Sequence, residues 1–264
     1  KYGPDRVRDT PISEASMIGA GVGAAIAGAR PITEILYIDF AMLGMDQIVN
    51  QAAKFRLMTG DRGSVPFVMR TQGGAGGAVA AQHSQSLEAL FYHIPGLRVV
   101  MPSTPYDAKG LLTHSLRQDH PVMFLEHKHL YMTKGMVPEE DYEIEFGKAE
   151  VMTEGDDVTI VAWSHMLLKA MEAAETLAAE NIRAEVINLR TLSPLDTDTI
   201  MTSVAKTNRV VIAQEAVRRG GVASDIASYI QEEEFYSLDA PIEIVAGLNI
   251  PIPFNLTLEK ASVP

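Results

Sequence analysis

The sequence predicts an α/β protein made of two domains, each with a β-sheet between two layers of helices. Its 264 residues exceed the roughly 100–200 residues of a single typical domain. Short runs of β-branched residues alternate with longer segments of helical spacing, which is typical of parallel sheets joined by helices. The stretch 134–146 interrupts this alternation, so we expect a first domain at 1–133, a linker at 134–146 and a second domain at 147–264.

The first domain begins with a predicted helix near residue 14. A run of apolar residues such as Val65–Met69 indicates a buried strand, because no polar residue interrupts it. The predicted strands are Arg30–Phe40, Val65–Met69, Arg98–Pro102 and Val122–Glu126, and the further helices are Met45–Met58, Ala80–Tyr92 and Pro105–Gln118.

The linker Lys134–Phe146 carries Pro138 and five acidic residues among few core candidates, a composition typical of a crossover between domains. The second domain then repeats the alternation of strands and helices. Its predicted strands are Asp157–Trp163, Arg183–Leu189, Arg209–Gln214 and Pro241–Ala246, and its predicted helices are Met166–Glu180, Thr197–Lys206 and Gly221–Glu234.

Composition excludes several classes of function. The formal net charge of −12 argues against nucleic acid or an anionic membrane as the main partner. The chain has no cysteine, which excludes disulfides, thiolate catalysis and cysteine-ligated metals. No apolar run approaches the roughly 20 residues that span a bilayer, and no secretory signal is visible. Because the chain starts with Lys1 instead of methionine, we expect a fragment.

The first candidate site is a helix start. Pro11 and its neighbours Thr10 and Ser13 are typical of the beginning of a helix, and Glu14 would lie in the first turn, where the helix dipole favours a carboxylate. The following Gly19-x-Gly21-x-x-Ala24 formally matches a dinucleotide fingerprint. That fingerprint needs a preceding strand, which is missing here, so we interpret the glycines as a helix face that another backbone approaches closely.

A glycine-rich segment and three histidines carry the other candidate chemistry. Gly73–Gly77 follows a buried strand but lacks the Lys-Ser/Thr of a phosphate loop, so a phosphate cradle, a mobile active-site loop and a tight turn all stay open. His83 is a candidate proton donor or acceptor near neutral pH, or simply part of a polar helix start. His127 and His129 could bind a metal, although no third ligand is evident in the sequence.

The second domain shows less chemistry, and no Gly-x-Ser-x-Gly elbow indicates a hydrolase. Several polar residues follow its strands, where open α/β sheets bind ligands. Ordinary loop or interface roles are equally open for them. These residues are Ser164, His165, Arg190, Glu215 and Arg218.

Seven segments spread over the whole chain match the pattern of one family. They are Arg8–Glu14, Asp46–Lys54, Ala81–Ser86, Pro95–Val100, Asp107–Leu112, Asp157–Trp163 and Pro251–Pro253. In order and number they resemble the β subunits of thiamine-diphosphate-dependent 2-oxo acid dehydrogenases. Compared with that family, the chain lacks an N-terminal strand–helix portion and a final C-terminal helix.

The resemblance implies a pyrimidine-binding domain followed by a transketolase C-terminal-like domain, within an α2β2 heterotetramer. It implies that thiamine diphosphate lies between subunits: the α subunit supplies the diphosphate and magnesium site, and this chain the aminopyrimidine site. Gly155-Asp156-Asp157 does not match the family's Gly-Asp-Gly diphosphate motif, which agrees with this division. A lipoyl acyltransferase core is the further partner implied. The implied location is the cytoplasm in a bacterium, or the mitochondrial matrix or plastid in a eukaryote.

The resemblance also assigns site residues. Glu14 matches the glutamate that contacts the pyrimidine N1′, where a carboxylic acid favours the imino tautomer, and a buried setting that raises the pKa of Glu14 would help. Phe40 matches an aromatic position that packs at the pyrimidine ring. His83 matches the histidine that assists acyl transfer to a lipoyl arm. The family's alkali-metal site corresponds to Ser115–His120, whose side chains depart from the pattern, so potassium is left open.

The implied activity is oxidative decarboxylation of a 2-oxo acid with reductive acylation of lipoyl-lysine, only in company with the α subunit. Pyruvate is the first candidate substrate, and branched-chain 2-oxo acids and acetoin stay open. The alternative from another class is a non-catalytic scaffold that bridges the α subunit to the core. The presence of both Glu14 and His83 argues against that alternative.

Overall fold

The computed structural model describes residues 1–264. Its strands are β1 (Ile32–Tyr37), β2 (Val68–Gly73), β3 (Arg98–Val100), β4 (Val122–His127), β5 (Glu150–Thr153), β6 (Val158–Ala162), β7 (Ala184–Asn188), β8 (Thr191–Ser193), β9 (Val210–Val217) and β10 (Glu243–Gly247). Its α-helices are α1 (Glu14–Ile26), α2 (Ile38–Ala41), α3 (Ala53–Met58), α4 (Glu88–Tyr92), α5 (Pro105–Arg117), α6 (His165–Ala179), α7 (Thr197–Thr207), α8 (Val222–Glu233) and α9 (Leu256–Lys260).

The strands form two five-stranded sheets, in the orders β1-β2-β4-β3-β8 and β10-β9-β6-β7-β5. Each sheet is parallel except at one edge, where β8 runs antiparallel to β3 and β5 antiparallel to β7. The α/β prediction is therefore confirmed, with mixed instead of purely parallel sheets. The short strands β5 and β8 are absent from the sequence-based expectation, because such segments carry too little periodicity to be recognised.

The two halves of the chain are tightly joined. Strand β8 belongs to the second half yet completes the first sheet, with Val99 of β3 opposite Ser193. One apolar core of 30 buried side chains contains residues of both halves, among them Phe67 and Trp163. None of the helices combines the length and the apolar character that crossing a membrane requires.

The segment 134–146 lies along α5. The Lys109 ammonium donates to the carbonyl oxygens of Glu139 (3.2 Å) and Glu140 (2.7 Å), and Arg117 forms ion pairs with Asp141 and Glu143. The segment is thus fastened to the first half along its length. The proposed division into 1–133, 134–146 and 147–264 stays a prediction about domain boundaries.

Two of the predicted helices differ from the observed ones. Met45–Met58 is helical, but Asp46–Ala52 winds as a π-helix before α3. Of the predicted helix Ala80–Tyr92, only α4 (Glu88–Tyr92) is helical, so the prediction is wrong over residues 80–87. The close packing expected of the glycine face of α1 is observed at Gly21, where an added Cβ would lie 2.4 Å from Thr33 Oγ1, although the neighbours are side chains instead of backbone.

A buried ion pair fixes the junction between the halves. Asp107 is fully buried in the first turn of α5, where it completes a capping box with Thr104. Its carboxylate accepts hydrogen bonds from Asn188 Nδ2 at 2.9 Å and from Arg190 Nε at 2.7 Å. Arg190, one of the open candidates for a ligand residue, is therefore an interface residue.

We expect Asp107→Ala to lower the free energy of unfolding by roughly 3–5 kcal/mol, because it leaves a buried guanidinium with less compensation. The measurement is urea unfolding. Asp156→Ala, which breaks an exposed ion pair with Arg183, is the control and should cost under about 1 kcal/mol. Equal losses for the two variants would contradict the assignment of Asp107 to the junction.

Candidate functional site

Phe40 and His83 lie side by side beyond the ends of β1 and β2. The His83 ring is 4.7 Å from the Tyr37 ring and 5.3 Å from the Phe40 ring, centroid to centroid, and meets both edge-on. All three rings are half-buried. The structure therefore brings two of the three predicted site residues into direct contact.

Glu14 is the first residue of α1. Its side chain makes no hydrogen bond to Tyr37, Phe40 or His83. Its N-cap residue, Ser13, is extended and makes no capping hydrogen bond to the helix backbone. The Glu14 carbonyl oxygen would lie 3.4 Å from a Cβ added at Gly44, so the start of α1 packs on the turn directly after α2, the helix that carries Phe40. The Glu14 side chain is half-buried, and thus this chain alone does not supply the buried setting expected for it.

Residues 74–87, here called the His83 loop, connect β2 to α4. Two of its glycines make room for imidazole rings: a Cβ added at Gly74 would lie 2.0 Å from His127 Nε2, and one at Gly76 would lie 1.9 Å from His129 Nε2. Both glycines have positive φ, +92° and +102°, which side chains with a Cβ rarely adopt. The glycine-rich segment is therefore a tight turn against two histidines.

The backbone of this loop binds carboxylates of the second half instead of a phosphate. Ala75 N donates to Glu215 Oε1, and Gly76 N and Ala78 N donate to the two oxygens of Glu259, each at 2.8 Å. Within the loop, Gly74 N donates to the Gln85 carbonyl oxygen (3.0 Å) and His83 N to that of Ala80 (3.2 Å). The loop is therefore shaped by turn bonds of its own and by distant carboxylates, and not by the regular bonds of a helix.

Glu215 also joins the histidines of the two halves. Its Oε2 lies 2.8 Å from His127 Nε2 and 3.7 Å from His165 Nδ1. The His127 and His165 rings stack, with centroids 4.7 Å apart. His165 follows the end of β6, as the sequence suggested, whereas Glu215 lies within β9, which extends to Val217 instead of ending at Gln214. Their pairing with His127 is not visible in the sequence, because the residues are far apart along the chain.

The hydrogen bonds define the protonation of this pair. The amide of His129 donates to His127 Nδ1 at 3.2 Å, so the proton of a neutral His127 ring is on Nε2 and points at Glu215. Burial lowers the pKa of His127. Burial alone would raise the pKa of Glu215, but the hydrogen bonds from His127 and from the Ala75 amide, together with the nearby His165 imidazole, outweigh it and lower that pKa. We therefore describe a neutral imidazole that donates to an ionised carboxylate.

The structure also answers the question of metal ligands. His127, His165 and Glu215 offer ligand atoms within 4.8 Å of one another, a cluster that does not include His129, the other member of the predicted pair. However, Glu215 already accepts hydrogen bonds from Ala75 N, Ser86 Oγ and His127 Nε2 at 2.8 Å each. The carboxylate is thus occupied by donors of the protein itself, and we assign no metal to the cluster.

The other candidates from the sequence are Ser164, Arg218 and the region Ser115–His120. Ser164 is buried beside His165, and Arg218 is exposed. In the region Ser115–His120, the Arg30 guanidinium donates to the carbonyl oxygen of Gln118 at 2.8 Å and to that of Leu116 at 3.3 Å. The potassium expectation gains no support from this arrangement.

Replacing Gly74 by alanine should lower the free energy of unfolding by roughly 2–4 kcal/mol, because the new Cβ overlaps His127 and the backbone is strained. Gly77→Ala is the matched control. A Cβ there has no neighbour closer than 3.6 Å, so the loss should stay under about 1 kcal/mol. Denaturant unfolding of both variants measures the difference, and similar losses would show that the histidines do not restrict the loop.

Glu88, buried at the start of α4, gives a pH-dependent prediction. Burial, with a smaller contribution from the negative charge of Glu215, raises the pKa of Glu88 from 4.5 to about 7. Between these values the folded protein keeps a proton that the unfolded chain has lost. The stabilisation is therefore complete below pH 4.5 and is lost as the pH rises through 7.

Relative to Glu88→Gln, which stays neutral, the wild-type chain should lose about 3 kcal/mol of stability over this pH range. Urea unfolding of both proteins from pH 4.5 to 8 measures the difference and cancels the titration of other groups. A difference that is constant with pH would disprove the raised pKa.

Comparison with known proteins agrees with this architecture. The family described as transketolase, pyrimidine binding domain, matches residues 1–134, and the family described as transketolase, C-terminal domain, matches residues 147–264. The fold is similar to a solved structure named split gene transketolase, inactive beta4 tetramer. The TM-score is 0.81 at 26% identity, over 98% of this chain and 79% of that chain.

Three curated relatives are similar over nearly the whole chain. The beta subunit of acetoin:2,6-dichlorophenolindophenol oxidoreductase from Cupriavidus necator is 51% identical, over 100% of this chain and 78% of the relative. The pyruvate dehydrogenase E1 component subunit beta from Rickettsia felis is 49% identical, over 100% and 81%. The 2-oxoisovalerate dehydrogenase subunit beta from Bacillus subtilis is 44% identical, over 98% and 80%. The chain therefore belongs to the family of β subunits of pyruvate, acetoin and branched-chain 2-oxo acid dehydrogenases, built from the two transketolase domains.

Proposed function

We propose that this chain acts in the thiamine-diphosphate-dependent cleavage of a 2-oxo acid, as the β subunit that binds the aminopyrimidine ring and passes the acyl group to lipoyl-lysine. Pyruvate is the first candidate substrate. Acetoin is the second, since the relative from Cupriavidus necator that is named for it is 51% identical. The observation that carries the proposal is the contact of His83 with Phe40 and Tyr37, next to the turn on which Glu14 begins α1.

The residues present suit the pyrimidine part of the cofactor. Glu14, Phe40 and His83 offer a carboxyl group, an aromatic face and an imidazole, and no cation that would pair with a diphosphate. Glu14 has no hydrogen-bond or ion-pair partner within the chain, so it is free to bind a ring nitrogen. In addition, Asp39 Oδ2 and Ser84 Oγ are buried without a partner, one beside Phe40 and the other beside His83 in sequence.

Each of these side chains has a definite task in the proposal. Glu14 holds a proton at the pyrimidine N1′, and Phe40 packs against the ring and keeps it in place. His83 donates or accepts a proton while the acyl group moves to the lipoyl sulfur, a role that suits an imidazole near neutral pH. When bound, the cofactor supplies the thiazolium ring that takes up the electron pair released with carbon dioxide.

A partner subunit is part of the proposal. Ile12, two residues before Glu14, is 92% exposed, so the surface beside Glu14 is accessible to another polypeptide. We propose an α subunit at this surface, in an α2β2 heterotetramer, which supplies the diphosphate and magnesium site. A lipoyl acyltransferase core is the proposed acceptor of the acyl group.

The test is the Glu14→Gln variant, co-expressed with the α subunit and assayed with pyruvate, 2-oxoisovalerate and acetoin. Because glutamine cannot hold the proton, we expect kcat to fall on the order of 100-fold or more. Glu154→Gln, at an exposed position, is the control and should keep wild-type turnover. An active Glu14→Gln complex would favour the scaffold role, and the substrate with the highest kcat/KM identifies the enzyme.

A further inference from the structure

We propose that Glu215 and Glu259, both from the second half of the chain, are positioning residues that hold the His83 loop in its working conformation. The second domain would then position a residue that acts in the chemistry of the first domain. It rests on the proposed function only for the role of His83, since the hold itself is a property of this chain.

Both side-chain oxygens of Glu259 accept hydrogen bonds from the loop. The residue is fully buried, Oε1 accepts from Gly76 N and Oε2 from Ala78 N, each at 2.8 Å. The helix that presents Glu259 is itself fixed, because the Asn255 side chain caps α9.

Glu215 closes the same loop at its two ends. Its Oε1 accepts from Ala75 N at the beginning of the loop and from Ser86 Oγ near the end, at 2.8 Å each. One carboxylate oxygen therefore brings together residues that are eleven positions apart, and His83 lies on the arc between them. The other oxygen, bonded to His127, orients the carboxylate.

The loop's own backbone bonds, from Gly74 N to the Gln85 carbonyl and from His83 N to the Ala80 carbonyl, leave the amides of residues 75, 76 and 78 without an acceptor inside the loop. Ala78 and Ala80 have positive φ, +51° and +66°, which a residue with a Cβ adopts only when its surroundings require it. The amide of Ala78 is one of those that Glu259 binds. Without the two carboxylates, the amides of residues 75, 76 and 78 would turn to water. His83 would then be held by Lys128, which donates to its carbonyl oxygen, and by its own amide bond to Ala80, with less restraint on its place against Tyr37 and Phe40.

The first experiment measures the hold directly, by hydrogen exchange of the full chain. In Glu259→Gln, one of the two loop amides loses its acceptor, so exchange at residues 75–78 should rise at least about tenfold. Ser86→Ala removes only a neutral donor to Glu215 and provides a milder variant, expected to exchange faster in the same loop. Glu243→Gln, exposed on β10, is the control. Unchanged loop exchange in both folded variants would overturn the proposal.

The second experiment uses the complex with the α subunit and separates positioning from a loss of folded protein. Turnover with lipoyl-lysine requires His83, whereas turnover with the dye 2,6-dichlorophenolindophenol as acceptor does not require acyl transfer. In Glu259→Gln and Ser86→Ala, kcat with lipoyl-lysine should fall about fivefold more than kcat with the dye, at a KM within about twofold of wild type. An equal fall of both rates would overturn the proposal.

The two proposals fail in different ways. If the wild-type complex turned over none of pyruvate, 2-oxoisovalerate and acetoin, the proposed function would be wrong, while loop exchange would still decide whether the two carboxylates hold the loop. If the wild-type complex is active and loop exchange is unchanged in the variants, only the positioning role is wrong.

Discussion

Ionised carboxylates buried between the two halves of the chain are the constraint on which the site depends. Taking a carboxylate out of water costs several kcal/mol unless hydrogen bonds replace the lost hydration. Glu215 and Glu259 meet this condition with donors from the first half: three backbone amides, one hydroxyl and one imidazole. The stability of the carboxylates and the shape of the loop are thus one interaction, since neither has its partners when the halves are apart.

This coupling explains why the loop is rich in glycine. A loop that must bring its amides to fixed acceptors while two imidazole rings press against it has no room for a Cβ at Gly74 or Gly76. The histidines are fixed in turn, because the amide of His129 holds the His127 ring and directs its Nε2 proton to Glu215. Each contact therefore limits the conformations open to the next. The second half of the chain shapes a loop that the first half presents.

Local signals in the sequence predict most of the helices and strands. They do not reveal contacts between residues that are far apart along the chain. The start of α1 at Glu14 and most of the strands follow from helix-start residues and apolar periodicity. The strand predicted at Val65–Met69 is shifted, because β2 spans Val68–Gly73 and takes in the first glycine of the glycine-rich segment. The helix expected at Ala80 is absent, and the segment is instead bound on either side by contacts distant in sequence: Glu215 and Glu259, more than 120 residues away, bind residues 75–78 and Ser86, and Asp39 binds Gln85. The glycine-rich segment left three interpretations open for the same reason. Strand-end position singled out His165 and Glu215, but it could not show that both meet His127.

The end of β4 shows how the anchored and the open sides of the site are connected. His127 turns to Glu215 of the second half, while the next residue, Lys128, donates to the His83 carbonyl oxygen and lies over the Tyr37 ring at 5.5 Å. Burial lowers the pKa of Lys128, against the attraction of nearby carboxylates, yet its ammonium has a fixed acceptor. The side of the loop that faces the protein is therefore complete within this chain. The side that carries Glu14 and Ile12 is not, since one has no partner and the other is exposed. The proposed sharing of the site between two subunits needs this arrangement, in which one side is complete within the chain and the other side is open.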